Sequence, residues 1–250
     1  MDITMLEELQ YNAFPPLQTR LYDGWTLRFG GNFTYRVNCA NPIYPGAQPP
    51  ETVLEQIEAA YEASGLRGCI VKLHQGMGEQ AAVYDRLLAD RGYQEDRRGN
   101  IFCCGLGSFS HAYQNQVDIQ HRVEAAWLKD FLDMNGTSDP GERAAAERML
   151  QNIALPVLAA SIQLEGRTVA CGLGVCERGC VGLYDIFVDS AFRRRGLGAD
   201  LCAGIMDAGK AQGCHTAYLQ VLQNNTGARA LYRGLGYAQD YEYWFRLKWY

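Results

Sequence analysis

Apolar positions along the chain follow two periods, and the switch between them predicts most of the secondary structure. From Pro156 to Gly166 (PVLAASIQLEG) and from Arg167 to Cys176 (RTVACGLGVC), short apolar runs flank a Glu165-Gly166 turn and predict two paired strands. Cys180 to Val188 (CVGLYDIFV) predicts a third strand, which ends in a loop of arginines and glycines. Gly198 to Gln212 then places Leu201, Ile205, Met206 and Ala208 at helical spacing, with Gly213 as the stop. Ala217 to Leu222 is a further strand, and Asn225 to Leu235 a helix closed by Gly236. Tyr241 to Trp249 alternates as a last strand. Upstream, Val123 to Met134 and Pro140 to Ile153 predict two helices, the second opened by an Asp139-Pro140 cap and first-turn pair.

The resulting order is strand, two helices, three antiparallel strands, helix, strand, helix, strand. It predicts an α/β (α+β) fold with a mixed, mostly antiparallel sheet flanked by helices. Its parallel step spans residues 180–222, and such a crossover aims a helix amino terminus at the carboxy end of a strand, where ligands bind.

The first hundred residues carry weaker signals. Asp23 to Asn38 (DGWTLRFGGNFTYRVN) predicts two strands around a Gly30-Gly31-Asn32 turn. Thr52 to Ser64 is an amphipathic helix, Cys69 to Leu73 a strand, Gln80 to Asp90 a helix, and Tyr93 opens another strand. A faint repeat relates AVYDRLLADRGY, ending at Tyr93, to GARALYRGLGY, ending at Tyr237. It suggests two copies of one fold: residues 1–107, a linker at 108–116, and residues 117–250.

Composition changes this picture little. A chain of 250 residues is ample for two domains, and 48% hydrophobic with 20% charged residues is an ordinary globular balance. The net charge of −5 argues against a nucleic-acid partner, which usually needs a clustered basic excess. The acidic start (MDITMLEE) lacks a secretory pattern, and no apolar run is long enough to span a membrane. The expectation is a cytoplasmic protein. The nine cysteines form no paired C-x-x-C knuckle, so they are expected as buried free thiols, and no metal is expected.

Candidate chemistry centres on Arg193-Arg194-Arg195-Gly196-Leu197-Gly198. Each glycine lets the backbone approach a ligand closely, while the following helix start adds about half a positive charge and several convergent amides. Such a nest suits a pyrophosphate. Alone, the string describes a tight turn with solvated arginines equally well. Its context favours the nest. Val188, Phe192, Arg193, Gly196 and Gly198, followed by Asn225, Ala228, Leu231, Tyr232, Gly236 and Tyr237 in an N-x-x-A-x-x-L-Y-x-x-x-G-[FY] segment, resemble the GNAT superfamily of acyl-CoA N-acyltransferases. Ser190 departs from that pattern, where many relatives have proline. The resemblance covers residues 117–248 well and the first hundred loosely.

The resemblance implies a GNAT fold preceded by a degenerate GNAT-like domain, and an N-acetyltransferase moving an acetyl group from acetyl-CoA to a primary amine of a small molecule, peptide or protein. It implies that Arg193 to Gly198 hold the cosubstrate pyrophosphate. Ile186, Phe187 and Val188 would pair with the pantetheine arm, with Asn225 and Ala228 nearby. Tyr232 would protonate the departing thiolate; the bland alternative is a tyrosine packing its helix on the sheet. Asp185 is the candidate general base, or else a local cap, with Glu177 as a weaker candidate. Asn225 bonds the pantetheine arm, caps its helix, or does both. Tyr35, Trp25 and Trp127 are candidate walls of a substrate pocket at the junction of the halves. The alternative function is a non-catalytic acyl-CoA-binding or interaction protein.

Overall fold

The first residues form a helix that the apolar pattern did not announce. In the computed structural model, which describes residues 1–250, α1 (Ile3–Ala13) begins at Asp2, whose carboxylate accepts the Thr4 amide at 3.1 Å. It buries Leu6, Leu9 and Ala13.

The hairpin that follows corrects the expectation for residues 23–38. The strands are β1 (Gln18–Tyr22) and β2 (Trp25–Phe29), and they turn at Asp23-Gly24, with φ of 44° and 81°. Tyr22 faces Trp25 directly, so only two residues remain for the turn, and an Asp-Gly pair is the residue choice that left-handed geometry favours. Gly30-Gly31-Asn32 instead forms a bend, with Asn38 Oδ1 taking the Gly30 amide at 2.7 Å, before a short 3-10 turn at Tyr35–Val37. Next come β3 (Ala40–Pro42), α2 (Pro50–Glu62), β4 (Gly68–His74), α3 (Glu79–Asp90) and β5 (Gln94–Gly105).

The second half matches its sequence pattern closely. It comprises β6 (Asp118–Gln120), α4 (Ala125–Met134), α5 (Pro140–Gln151), β7 (Val157–Leu164), β8 (Arg167–Glu177), β9 (Cys180–Val188), α6 (Leu197–Ala211), β10 (Thr216–Leu222), α7 (Thr226–Gly234) and β11 (Ala238–Trp249). Asp139 caps α5 as expected, accepting the Glu142 amide at 2.9 Å.

All eleven strands lie in one sheet, in the order β1-β2-β3-β4-β11-β5-β10-β9-β8-β7-β6. Two successions within it repeat: β1-β2-β3-α2-β4-α3-β5 and β7-β8-β9-α6-β10-α7-β11. In each, the first three strands are antiparallel and the third pairs in parallel with the fourth. Each copy then gives its last strand to the other. β11 lies between β4 and β5, and β5 lies between β11 and β10, antiparallel throughout. The two successions follow one another along the chain while the sheet they form is continuous.

Two hydrophobic clusters cover the faces of the second half. Leu6, Leu9 and Phe14 join Trp127 and Phe131 on one face; Leu201, Ile205 and Met206 lie with Leu219 and Tyr232 on the other. A third cluster holds α2 and α3 on the first half through Trp25, Leu54, Ile57 and Tyr84. All nine cysteines are free thiols, eight of them buried. No helix is long and apolar enough to cross a membrane.

Candidate active site

The loop after β9 is built to leave its amides free. Asp189 starts it, accepting the Ala191 amide at 2.9 Å and folding Ser190–Phe192 into a 3-10 turn. Arg193 returns its side chain to the strand, its Nε donating to the Val188 carbonyl at 3.2 Å. Arg194 (φ 67°) and Gly196 (φ 78°) then take left-handed backbone, which turns the chain into α6 with Gly196 at the cap. Gly198 sits where a Cβ would lie 2.9 Å from Leu231 Cδ1 and 3.6 Å from Val188 Cγ2. This position ties the end of β9, the loop and α7 together.

Between Arg193 and Gly198 no backbone amide finds an acceptor in the chain; the first helical bonds are those of Ala199 and Asp200 to the Gly196 carbonyl. Six backbone donors leading into the helix start thus lack an acceptor, with three exposed arginines among them. Part of that cationic charge is committed to structure, since Arg195 and Arg167 stack on Phe192 with ring distances of 5.0 and 4.6 Å. The linker is anchored to the same helix. Asp200 is buried in the first turn of α6 and accepts from His111 Nε2 at 2.7 Å and from the Asn115 amide at 2.9 Å. Burial opposes ionisation of Asp200, but these hydrogen bonds outweigh it and hold the carboxyl below its usual range.

Beside the loop the sheet opens. β9 and β10 pair in parallel from Thr216 and Cys180 to Leu219 and Leu183, and then separate. The opening coincides with a bulge in β9, where the β8–β9 register shifts and Asp185 adopts φ 53°. From Tyr184 to Val188, β9 therefore keeps an unpaired edge toward the wedge while its other edge is held by β8. This is a place where an extended ligand could add as a strand.

The side chains identified from sequence lie on opposite faces of the sheet. Asp185 lies on the α1 and α4 face. Its Oδ1 accepts from Arg36 Nη2, and Oδ2 is buried with no partner. Arg36, contributed by the first half, lies 4.8 Å from the Phe14 ring and 5.6 Å from the Tyr184 ring. Tyr232 belongs to the α6 and α7 face and is 8% exposed. Burial raises its pKa well above the usual phenol range, so it is a protonated donor at neutral pH. Asn225 caps α7, its Oδ1 accepting the Ala228 amide at 3.1 Å. Glu177 stands apart, held by Asn12 Nδ2 at 3.1 Å.

Sequence reasoning missed Arg36, which sits in a segment without a regular apolar pattern and acts only through the fold. It also missed Gln220, the first β10 residue past the point of separation, whose Nε2 donates to Gln10 of α1. The three aromatics expected to share a pocket do not meet. Trp127 is buried under α4 with its Nε1 on the Ala160 carbonyl at 2.9 Å, Trp25 lies in the α2–α3 cluster, and Tyr35 stacks edge-on against Phe245. No group of three or more His, Cys, Asp or Glu side chains is gathered as a metal site would require.

The family described as "Probable histone acetyltransferase Rv0428c C-terminal" matches residues 1–245. The chain is 23% identical over 256 residues to the uncharacterized N-acetyltransferase YobR of Bacillus subtilis, covering 99% of each. A GCN5-related N-acetyltransferase from Kribbella flavida superposes with a TM-score of 0.72 at 18% identity, over 98% of this chain and 94% of that one. A tandem GNAT protein from the clavulanic acid biosynthesis pathway gives a TM-score of 0.68 at 10% identity, over 100% and 88%. The two solved structures share the fold, and the second shares the arrangement of two copies.

Proposed function

Because the chain belongs to the Rv0428c C-terminal acetyltransferase family, a family of the GNAT type, we propose that it transfers an acetyl group from acetyl-CoA to a primary amine by direct attack on the thioester. The observation that carries this reading is the coincidence of two unfilled hydrogen-bonding surfaces: the six free amides of residues 193–198 and the unpaired edge of β9 beside them. The first fits a pyrophosphate and the second fits an amide-bearing arm.

In the proposed reaction the amine nitrogen, once deprotonated, attacks the thioester carbonyl carbon. The carbon–sulfur bond then breaks and the thiolate takes a proton from Tyr232, while the second nitrogen proton, released as the amide forms, returns to the tyrosine oxygen through water. The acceptor arrives as an ammonium, because an alkylamine has a pKa of about 10, so one proton must leave before attack. Asp185 takes it, directly or through water. Arg36 orients that carboxylate. Asn225 and Ala228 line the arm from the start of α7, and Arg193, Arg194 and Arg195 balance the charge of the phosphates.

Under this proposal residues 117–250 form the catalytic unit and residues 1–107 a degenerate copy that binds no CoA, each completed by the other's last strand. The test is release of CoA thiol from acetyl-CoA across a panel of small-molecule, peptide and protein amines, with acetyl-CoA binding measured in parallel. Turnover on at least one amine is the expected result. Tight binding with no turnover on any amine would replace the enzyme by a non-catalytic acyl-CoA-binding protein.

A further inference from the structure

The linker between the two copies is tied to α6 at both ends of that helix. In the last turn, Lys210 Nζ donates to the Gly107 carbonyl at 3.2 Å. Between the ends, the Tyr113 hydroxyl donates to Asp207 Oδ2 at 2.6 Å. In the first turn, the buried Asp200 carboxylate gathers the rest. Its Oδ1 takes His111 Nε2 at 2.7 Å, and its Oδ2 takes the Gln114 amide at 3.3 Å, the Asn115 amide at 2.9 Å and Asn115 Nδ2 at 2.7 Å. Val117 then packs where a Cβ on Gly204 would lie 2.7 Å from its Cγ1, so only glycine at 204 lets the strand lie this close to the helix.

These bonds fix where Gln114 stands. Its backbone is held one turn into α6, and its exposed side chain lies against Gly196, the cap of that helix. A Cβ on Gly196 would lie 3.1 Å from Gln114 Oε1 and 3.6 Å from Cδ. Gly196 belongs to the run of residues 193–198 whose amides have no acceptor in the chain. A carboxamide from outside the loop therefore borders the same surface.

The chemistry of that group suits an anion seated there. A carboxamide carries an acceptor at one end and two N–H donors at the other, and rotation about its last bond exchanges the ends at small cost. Its oxygen is the nearer end beside the bare loop. Beside an anion its nitrogen is the favourable end, because a hydrogen bond to a charged acceptor is stronger than one between neutral groups.

Resting on the acetyl-CoA reading above, we propose that Gln114 is a further binding residue for the cosubstrate, its Nε2 donating to the pyrophosphate on the amides of residues 193–198. Asp200 is the positioning residue that holds the linker backbone so that Gln114 faces the loop. The cosubstrate site then extends beyond β9, its loop and α7 to a segment that belongs to neither copy of the fold.

The test uses the full chain, with CoA as the probe and pantetheine, which has no phosphate, as its counterpart. Gln114→Glu keeps the shape of the side chain and puts a negative charge in place of the donor; Gln114→Ala removes the group. CoA affinity, measured by calorimetry, should fall about tenfold in Gln114→Glu and about threefold in Gln114→Ala. Gln114→Lys, which keeps an N–H donor, should bind CoA at least as tightly as the wild type. Pantetheine affinity, followed by NMR titration, should be the same in all four chains. In the wild type, CoA should shift the Gln114 carboxamide resonances, assigned by their loss in Gln114→Ala, and pantetheine should not. Equal CoA affinity in wild type, Gln114→Glu and Gln114→Ala overturns the inference and leaves the acetyl-CoA reading standing. So does an unmoved carboxamide at CoA saturation, weaker CoA binding by Gln114→Lys, or a parallel loss of pantetheine affinity. A wild type that binds no CoA refutes that reading, and the inference with it.

Discussion

Replacing Glu7 by Gln should unfold this protein at markedly lower denaturant, and the size of the effect follows from the surroundings of that carboxylate. Glu7 of α1 is fully buried, and Lys72 of β4 is 2% exposed. Lys72 Nζ lies 2.6 and 2.8 Å from the two carboxylate oxygens, which also accept the hydroxyls of Tyr11 and Tyr241, each at 2.5 Å. Burial alone would raise the Glu7 carboxyl, but Lys72 and these hydroxyls outweigh it and hold the pKa at about 2. The glutamine keeps the shape and leaves a buried ammonium without its counter-charge, a change that costs about 3–5 kcal/mol. In a chain of this size that is on the order of 10 °C in Tm. The pH dependence gives a second readout. A carboxyl depressed in the folded state stabilises fully above its unfolded value of 4.5, and that contribution drains as pH falls toward 2. Urea unfolding of wild type should therefore lose about 3 kcal/mol over this interval through Glu7, and Glu7→Gln should lack that component. Glu7→Leu with Lys72→Met, which removes both charges, should recover most of the loss. A Glu7→Gln variant within about 1 kcal/mol of wild type at pH 7, with an unchanged acid limb, would refute the reasoning.

Further outcomes follow from the candidate active site. Tyr232→Phe should lower kcat by about a hundredfold and leave acetyl-CoA affinity unchanged, checked by steady-state kinetics beside calorimetry; unaltered turnover would remove this hydroxyl from the reaction. Gly198→Asp should weaken acetyl-CoA binding at least tenfold, because its Cβ would press on Leu231 Cδ1 at 2.9 Å and its charge would face the amides proposed to hold the pyrophosphate. Gly196→Asp should act in the same direction. Asn225→Ala removes the cap of α7 and should cost about 1 kcal/mol, read as faster hydrogen exchange at the Ala228 amide.

Much of the second half was legible because its determinants are local. Cys180 to Val188 ends at a loop whose glycines and arginines announce themselves, and Asn225 caps a helix that the spacing of Ala228, Leu231 and Tyr232 had already outlined. The hairpin in the first half was misplaced because Asp23-Gly24 and Gly30-Gly31-Asn32 are both plausible turns. Only the pairing of Tyr22 with Trp25 decides between them, and register is a property of two strands together. Exchange of the last strands had no local signature at all. β5 and β11 read as ordinary strands whichever neighbour they choose. Arg36 meets Asp185, and Gln220 meets Gln10, only across long stretches of chain, so neither had a local signal.

The exchanged strands also set an order of events during synthesis. β5 has only β10 and β11 as neighbours, so it must wait for residues beyond 215 to leave the ribosome before it gains any sheet partner. Until β11 follows, β4 presents a bare edge as well, and such edges invite pairing with other nascent chains. A gene split at the linker would yield two polypeptides that each lack the strand the other carries. They should be soluble only when made together, and should then reassemble without a covalent bond between them.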